Sequence, residues 1–194
     1  MNPILPALLF ATGICFSILP FPAAPSQAPA QGAMANAPKI TPFLWFDDNA
    51  ETAVRYYLAV FPGAKLVSET RWGEGGPVPK GTLMLATFEL AGQTFMALNG
   101  GPRYRFNGAV SFMIRCETQQ EIDSLWAKLT SDGGEPGHCG WLKDKFGLSW
   151  QVVPTKIGEL LDAKDPARAR RVSEALLQMG KLDLKQLQQA YDGR

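Results

Sequence analysis

The stretch Ile40-Thr41-Pro42-Phe43-Leu44-Trp45-Phe46-Asp47-Asp48-Asn49-Ala50-Glu51 decides how this chain is read. An apolar run of strand length meets Asp48 and Asn49, and Glu51 stands three residues after Asp48, the spacing of a capping box. Beyond it, Ala53, Tyr56, Tyr57 and Val60 recur at the spacing of one helix face. The same order returns farther on. Val110-Ser111-Phe112-Met113-Ile114 leads into Thr118-Gln119-Gln120-Glu121, and Ile122, Leu125, Trp126 and Leu129 then mark a second helix face. Two copies of one strand, cap and helix predict two units stacked on one core.

Short strands after each helix complete the unit. Pro62-Gly63 stops the first helix, and strand-like runs cover 64–71, 82–90 and 94–99, the last two joined by a hairpin turn at Ala91-Gly92-Gln93. The segment 72–79 is too rich in Gly and Pro for regular structure and reads as a surface loop, either a lid or an inert connection. In the second half a helix to about Ser131 and a Gly133-Gly134 turn precede strand-like runs at 135–139, 140–143 and 148–153. The class is therefore α+β: paired βαβββ modules forming one curved mixed sheet, with helices on the outer face and a cleft on the inner one. Helical runs at 157–161, 166–179 and 184–191, with Asp165 and Pro166 as cap and first-turn proline, form a C-terminal extension. Residues 34–155 are the βαβββ domain and 156–194 the extension, whose apolar positions read as packing onto the domain or a partner.

Bulk properties narrow the partners. With 194 residues and 46% hydrophobic side chains the chain can bury one substantial core. Its 19 basic and 18 acidic residues nearly cancel, so no field draws it to nucleic acid or acidic lipid. Residues 1–33 stand apart: Ile4 to Phe21 is apolar but broken by Pro6, Gly13 and Pro20, and an Ala/Pro/Gln-rich linker comes after it. The favoured reading is an export signal, which implies a periplasmic or secreted protein, although no Lys or Arg precedes the apolar run. A start at Met34 would leave a cytoplasmic protein, and an uncleaved anchor is the third reading; the prolines argue against a stable membrane span. Cys116 and Cys139 bridge only if strands bring them within disulfide reach, and otherwise serve as buried thiols.

Four stretches carry a family resemblance: Ile40 to Phe46, Phe95-Met96-Ala97-Leu98-Asn99-Gly100-Gly101, Val110-Ser111-Phe112, and Cys139 to Pro154. From about Ile40 to Met179 the chain resembles the vicinal oxygen chelate (glyoxalase and bleomycin-resistance) superfamily, and within it the PhnB-like branch whose domain carries the label 3-demethylubiquinone-9 3-methyltransferase. The resemblance implies a homodimer. It also implies a divalent ion in the cleft of the metal-dependent members, held by His and Glu on the first and last strand of each half. By spacing, those positions fall here at Pro42, Ala97, Ser111 and Gln151, none of them a normal metal ligand. His138 is the one histidine in the chain, and one imidazole makes no site. No metal and no cofactor are expected. The glycine clusters at 73–76 and 100–101 read as turns rather than as a nucleotide-binding strand-to-helix loop.

The expected ligand-binding residues are neutral: Gln151, Ser111 and Asn99, framed by Phe46 and Met113. Such a lining suits a small organic molecule that takes hydrogen bonds within an apolar pocket. The expected role is metal-free binding of that ligand. The alternative is a lyase, isomerase or transferase acting on a quinone-like or dicarbonyl substrate. No general base is evident; Glu89 and Asp144 qualify only if they point into the cleft.

Overall fold

The computed structural model describes residues 38–162 and 164–194. The signal-like segment and its linker lie outside the described residues. The first module runs β1 (Phe43–Phe46), α1 (Ala50–Val60), β2 (Lys65–Arg71), β3 (Leu83–Leu90) and β4 (Gln93–Asn99). The second runs β5 (Ser111–Cys116), α2 (Gln119–Leu129), β6 (Glu135–Pro136), β7 (Trp141–Lys143) and β8 (Ser149–Pro154). Helices α3 (Ile157–Leu160), α4 (Pro166–Leu177) and α5 (Leu184–Asp192) complete the chain.

The strand orders are β1-β4-β3-β2 and β5-β8-β7-β6, so the modules repeat one topology. In each, the first strand lies parallel to the last and the remaining pairs are antiparallel. The hydrogen-bonded ladders form two four-stranded mixed sheets, with β1 and β5 as the facing edges, where the sequence suggested one continuous sheet. The β3–β4 hairpin turns at Ala91 and Gly92, both at positive φ (47° and 81°), the backbone of a tight hairpin turn.

Alternation divides each sheet into two faces. Leu44, Phe46, Phe88, Phe95, Ala97 and Ala86 point toward α1, whose Ala53, Val54, Tyr57 and Val60 are buried against them. Phe112, Trp150, Val152 and Leu142 likewise face α2 through Ile122, Leu125 and Leu129. These two sets merge into one core, tied across the modules by Phe95 against Phe112 (ring centroids 5.0 Å apart) and Phe61 against Trp150 (5.3 Å). Edge-on and tilted ring pairs of this kind add to the area they bury.

The extension builds a second cluster. Val172, Leu182, Leu187 and Leu160 gather around Val153, which lies on the face of β8 opposite Val152. Backbone bonds from Cys139 N to Met179 O (2.7 Å) and from Gly140 N to Gly180 O (2.8 Å) fasten it to the turn before β7. Gln119 bridges it to α2, donating to Leu182 O and accepting from Leu184 N. The tail therefore packs onto its own domain. Cys116 and Cys139 are both free thiols, and burial pushes that of Cys116 up to about 12. Among the described residues no helix is long and apolar enough to cross a membrane.

Candidate ligand site

Each sheet has a second face turned away from α1 and α2, which in the second module the extension covers at Val153. In the first module it presents Phe43, Trp45, Met96, Leu98, Leu85 and Thr87, by the register that sets Phe43 opposite Met96 and Trp45 opposite Leu98. In the second it presents Ser111, Met113, Gln151 and Trp141, since Met113 and Trp141 are both register partners of Gln151. Gln151 Nε2 donates to Ser111 Oγ at 2.9 Å. This leaves the Gln151 carbonyl and the Ser111 hydroxyl hydrogen without a partner among the described residues. Met113 and Trp141 flank the pair and are 49% and 37% exposed.

Gln151, Ser111 and Met113 thus share one surface. Asn99 and Phe46 do not join them. Register partners on the core face of β1 and β4, they lie beneath the start of α1. Asn99 Oδ1 accepts from Ala50 N (2.8 Å) while its Nδ2 donates to Leu83 O (2.9 Å). Asn99 therefore supplies the cap that α1 lacks locally, because the N-cap residue Asn49 makes no side-chain cap hydrogen bond. Phe46 is buried, edge-on to Phe106 at 5.2 Å and to Phe146 at 6.1 Å.

The neighbouring glycines have equally local reasons. Trp45 Nε1 donates to Gly101 O at 2.8 Å, which lays the indole across Gly100; a Cβ there would sit 2.3 Å from the ring. The Asn99-Gly100-Gly101 sequence is thus a cap, a close approach and a turn at φ 84°. It leads into a connection between strands rather than into a helix, and so is not a nucleotide loop.

The four positions matched by spacing to metal ligands do not converge. Ala97 is fully buried on the core face, and Pro42 precedes β1, its carbonyl accepting from Met96 N at 2.9 Å. On the first and last strands the open faces carry Phe43, Trp45, Met96 and Leu98 in one module and Ser111, Met113, Ser149 and Gln151 in the other. This donor set of ring, thioether, hydroxyl and amide does not fit a divalent ion of the kind held by imidazole and carboxylate. Among the described residues no three His, Cys, Asp or Glu side chains gather as a potential site.

Asp144 is neither a base in the cleft nor a solvated surface charge. It is 2% exposed in the core, where Oδ2 accepts from Tyr57 Oη (2.9 Å) and Trp150 Nε1 (2.8 Å). Its Oδ1 accepts from the amides of Phe146 (2.9 Å) and Leu148 (3.1 Å). Desolvation raises its pKa, and these four donors oppose the rise. Tyr57 comes from α1 and the rest from the second module, so one carboxylate ties the two modules together. No sequence motif announces it. Glu89 lies on the open face of the first sheet, in line with Leu85 and Thr87, and pairs there with Lys65 at 3.3 Å.

Two hollows lie along the free edge of β1, one on either side of Arg105 and Phe106 in the β4–β5 connection. The smaller, about 240 Å³, is walled by Trp45, Asp47, Asn49, Tyr104 and Phe146. The larger, about 450 Å³, lies between the start of β1 and the start of β5. No motif in the sequence marks either hollow.

Residues 38–153, both modules and nothing of the extension, match the family model described as 3-demethylubiquinone-9 3-methyltransferase. The chain belongs to that family. With its paired βαβββ modules, this PhnB-like domain is a member of the vicinal oxygen chelate superfamily. The PhnB protein of Bacillus cereus is 37% identical, with a TM-score of 0.56, over 60% of this chain and 99% of its own length. Protein PA1353 of Pseudomonas aeruginosa shares the fold at 24% identity and a TM-score of 0.50, over 61% of this chain and 98% of its own. No curated protein matches the chain. Both solved structures match about three fifths of this chain over nearly their whole length, and the family model ends before α3.

Proposed function

We propose that this PhnB-like protein binds a small, neutral organic ligand on the open face of its second sheet, as a homodimer and without a metal. The observation that carries the reading is the Gln151–Ser111 pair, which points a free amide carbonyl and a free hydroxyl hydrogen away from the core, between Met113 and Trp141. One acceptor and one donor between a thioether and an indole suit a carbonyl, phenol or amide. Ionic ligands have no charge to meet on that pair.

The dimer supplies the other wall. Phe43 on the first open face is 51% exposed, and Met113 and Trp141 lie bare on the second. Apolar side chains in such numbers on two sheet faces are a surface to be covered, and pairing of two copies encloses the ligand between them. The methyl-transfer name of the family is not carried over. No glycine-rich strand-to-helix turn is present to seat a nucleotide-type donor among the described residues.

Native mass spectrometry of the purified protein tests both parts. The expected spectrum is a dimer with a co-purified small organic mass, whose occupancy falls about tenfold in Gln151→Ala and Ser111→Ala as each loses one neutral hydrogen bond of about 1.4 kcal/mol. A monomer would overturn the dimer, and unchanged occupancy in both variants would overturn the site.

A further inference from the structure

We infer that the larger hollow, between the starts of β1 and β5, is a second binding site that takes a small monocarboxylic acid with a short hydrocarbon body. It is separate from the open face of the second sheet and does not depend on the reading given for that face.

The geometry has three parts. First, the walls are hydrocarbon: Leu44, Val110, Phe112 and Leu148 line a space of about 450 Å³, within the range of small-ligand pockets. Second, a single cation lines it, Arg105, whose guanidinium makes no ion pair or hydrogen bond among the described residues. Arg105 is exposed and stands where the two hollows meet. Arg71, by contrast, holds Glu51 and Glu69, and Arg171 holds the carbonyls of Ala190 and Tyr191, while Arg103 and Arg115, like Arg105, make no ion pair among the described residues but line neither hollow. Third, the loop bearing Arg105 is anchored before it by the Tyr104 ring, edge-on to Trp45 at 5.1 Å, and after it by the next two residues. The Phe106 ring packs edge-on against Phe46, and Asn107 Oδ1 accepts from Ala109 N at 2.9 Å.

The polar groups around Arg105 leave the anion to come from outside. Asp47 borders the smaller hollow, on the other side of Arg105, and does not pair with it. Asn107 is committed to its turn, and the Thr41 hydroxyl at the rim donates to Pro38 O at 3.2 Å. One guanidinium fork matches the two oxygens of one carboxylate, and a lone cation suits a monoanion better than a phosphate dianion. The hydrocarbon walls then hold the remainder of the molecule.

Isothermal titration of the full chain with octanoate and with its uncharged analogue octanamide tests this. Octanoate is expected to bind, and Arg105→Gln to weaken it at least tenfold, the size of a charge-assisted hydrogen bond, without changing octanamide binding. Thr41→Trp fills the rim and should abolish binding of both compounds while the circular dichroism spectrum stays that of the unaltered chain. No octanoate binding at millimolar concentration, equal octanoate affinity in Arg105→Gln, or undiminished binding in a folded Thr41→Trp would each overturn the site.

Discussion

Helices α1 and α2 are both eleven residues long and both come after a polar cap-like sequence, yet they are held at their starts in different ways. Thr118 Oγ1 accepts from Glu121 N at 3.1 Å, and Glu121 Oε2 reaches back to Glu117 N at 2.8 Å, so α2 is capped by its own neighbours. In α1 the corresponding Glu51 leaves the helix end and binds Arg55 and Arg71, and the first amide is met by Asn99, 49 residues away. A local cap makes α2 a self-contained signal. The remote cap makes the start of α1 conditional on β4 already lying beside β1. The two modules then meet at Asp144, where a residue of α1 and a strand of the second module share one carboxylate.

The two modules depend on that joint more than on either cap. Asp144→Ala leaves the Tyr57 hydroxyl, the Trp150 indole and two amides without their acceptor, and removing one partner of such a buried charged network costs about 3–5 kcal/mol. Chemical denaturation should show that loss in both modules at once, as a single transition shifted to lower denaturant. Two separated transitions would show instead that the modules fold independently.

Next in size come the caps themselves. Asn99→Ala removes a helix cap and also strands the Leu83 carbonyl, an expected loss of about 2–3 kcal/mol, whereas Thr118→Ala loses an exposed cap worth about 1 kcal/mol. Denaturation of the two variants side by side measures the difference. Equal losses would mean that the remote cap adds nothing beyond a local one.

The smallest effect is electrostatic. Hydrogen bonds from Arg71 and then Arg55 hold the Glu51 carboxyl near about 2, below its ordinary 4.5. A depressed carboxylate pKa contributes stability above 4.5 that is lost as pH falls toward 2. Because the pair is partly solvated, the contribution is no more than about 1 kcal/mol. Glu51→Gln should therefore flatten the acid limb of stability between those pH values. Asp144 acts in the opposite sense: its raised pKa favours the folded state most at low pH, and that contribution fades as pH rises through the folded value.

Helix faces, strand runs, the Ala91-Gly92 turn and the Asp165 cap were legible in the residues, because each depends on neighbours within a few positions. Asp165 Oδ1 accepts from the amides of Ala167 and Arg168, as its place before Pro166 implied. The surface shared by Gln151, Ser111 and Met113 was legible too, through strand alternation. Ala97 was not: strand faces alternate every residue, so an alignment by spacing that slips by one position moves a side chain from cleft to core. Asn99 and Asp144 were illegible for a related reason. A polar side chain in an apolar run shows only that some partner exists, and theirs lie 49 and 87 residues away.

The repeated βαβββ order and the family were fixed by the residues alone, since these follow from periodicity and residue chemistry. Which polar residues brace the core and which face outward, where the extension docks, and that Arg105 stands without a partner beside an apolar hollow follow from the folded chain. Those facts arise from contacts between distant segments, and hydrophobic burial, which drives the collapse, does not specify which polar groups will meet.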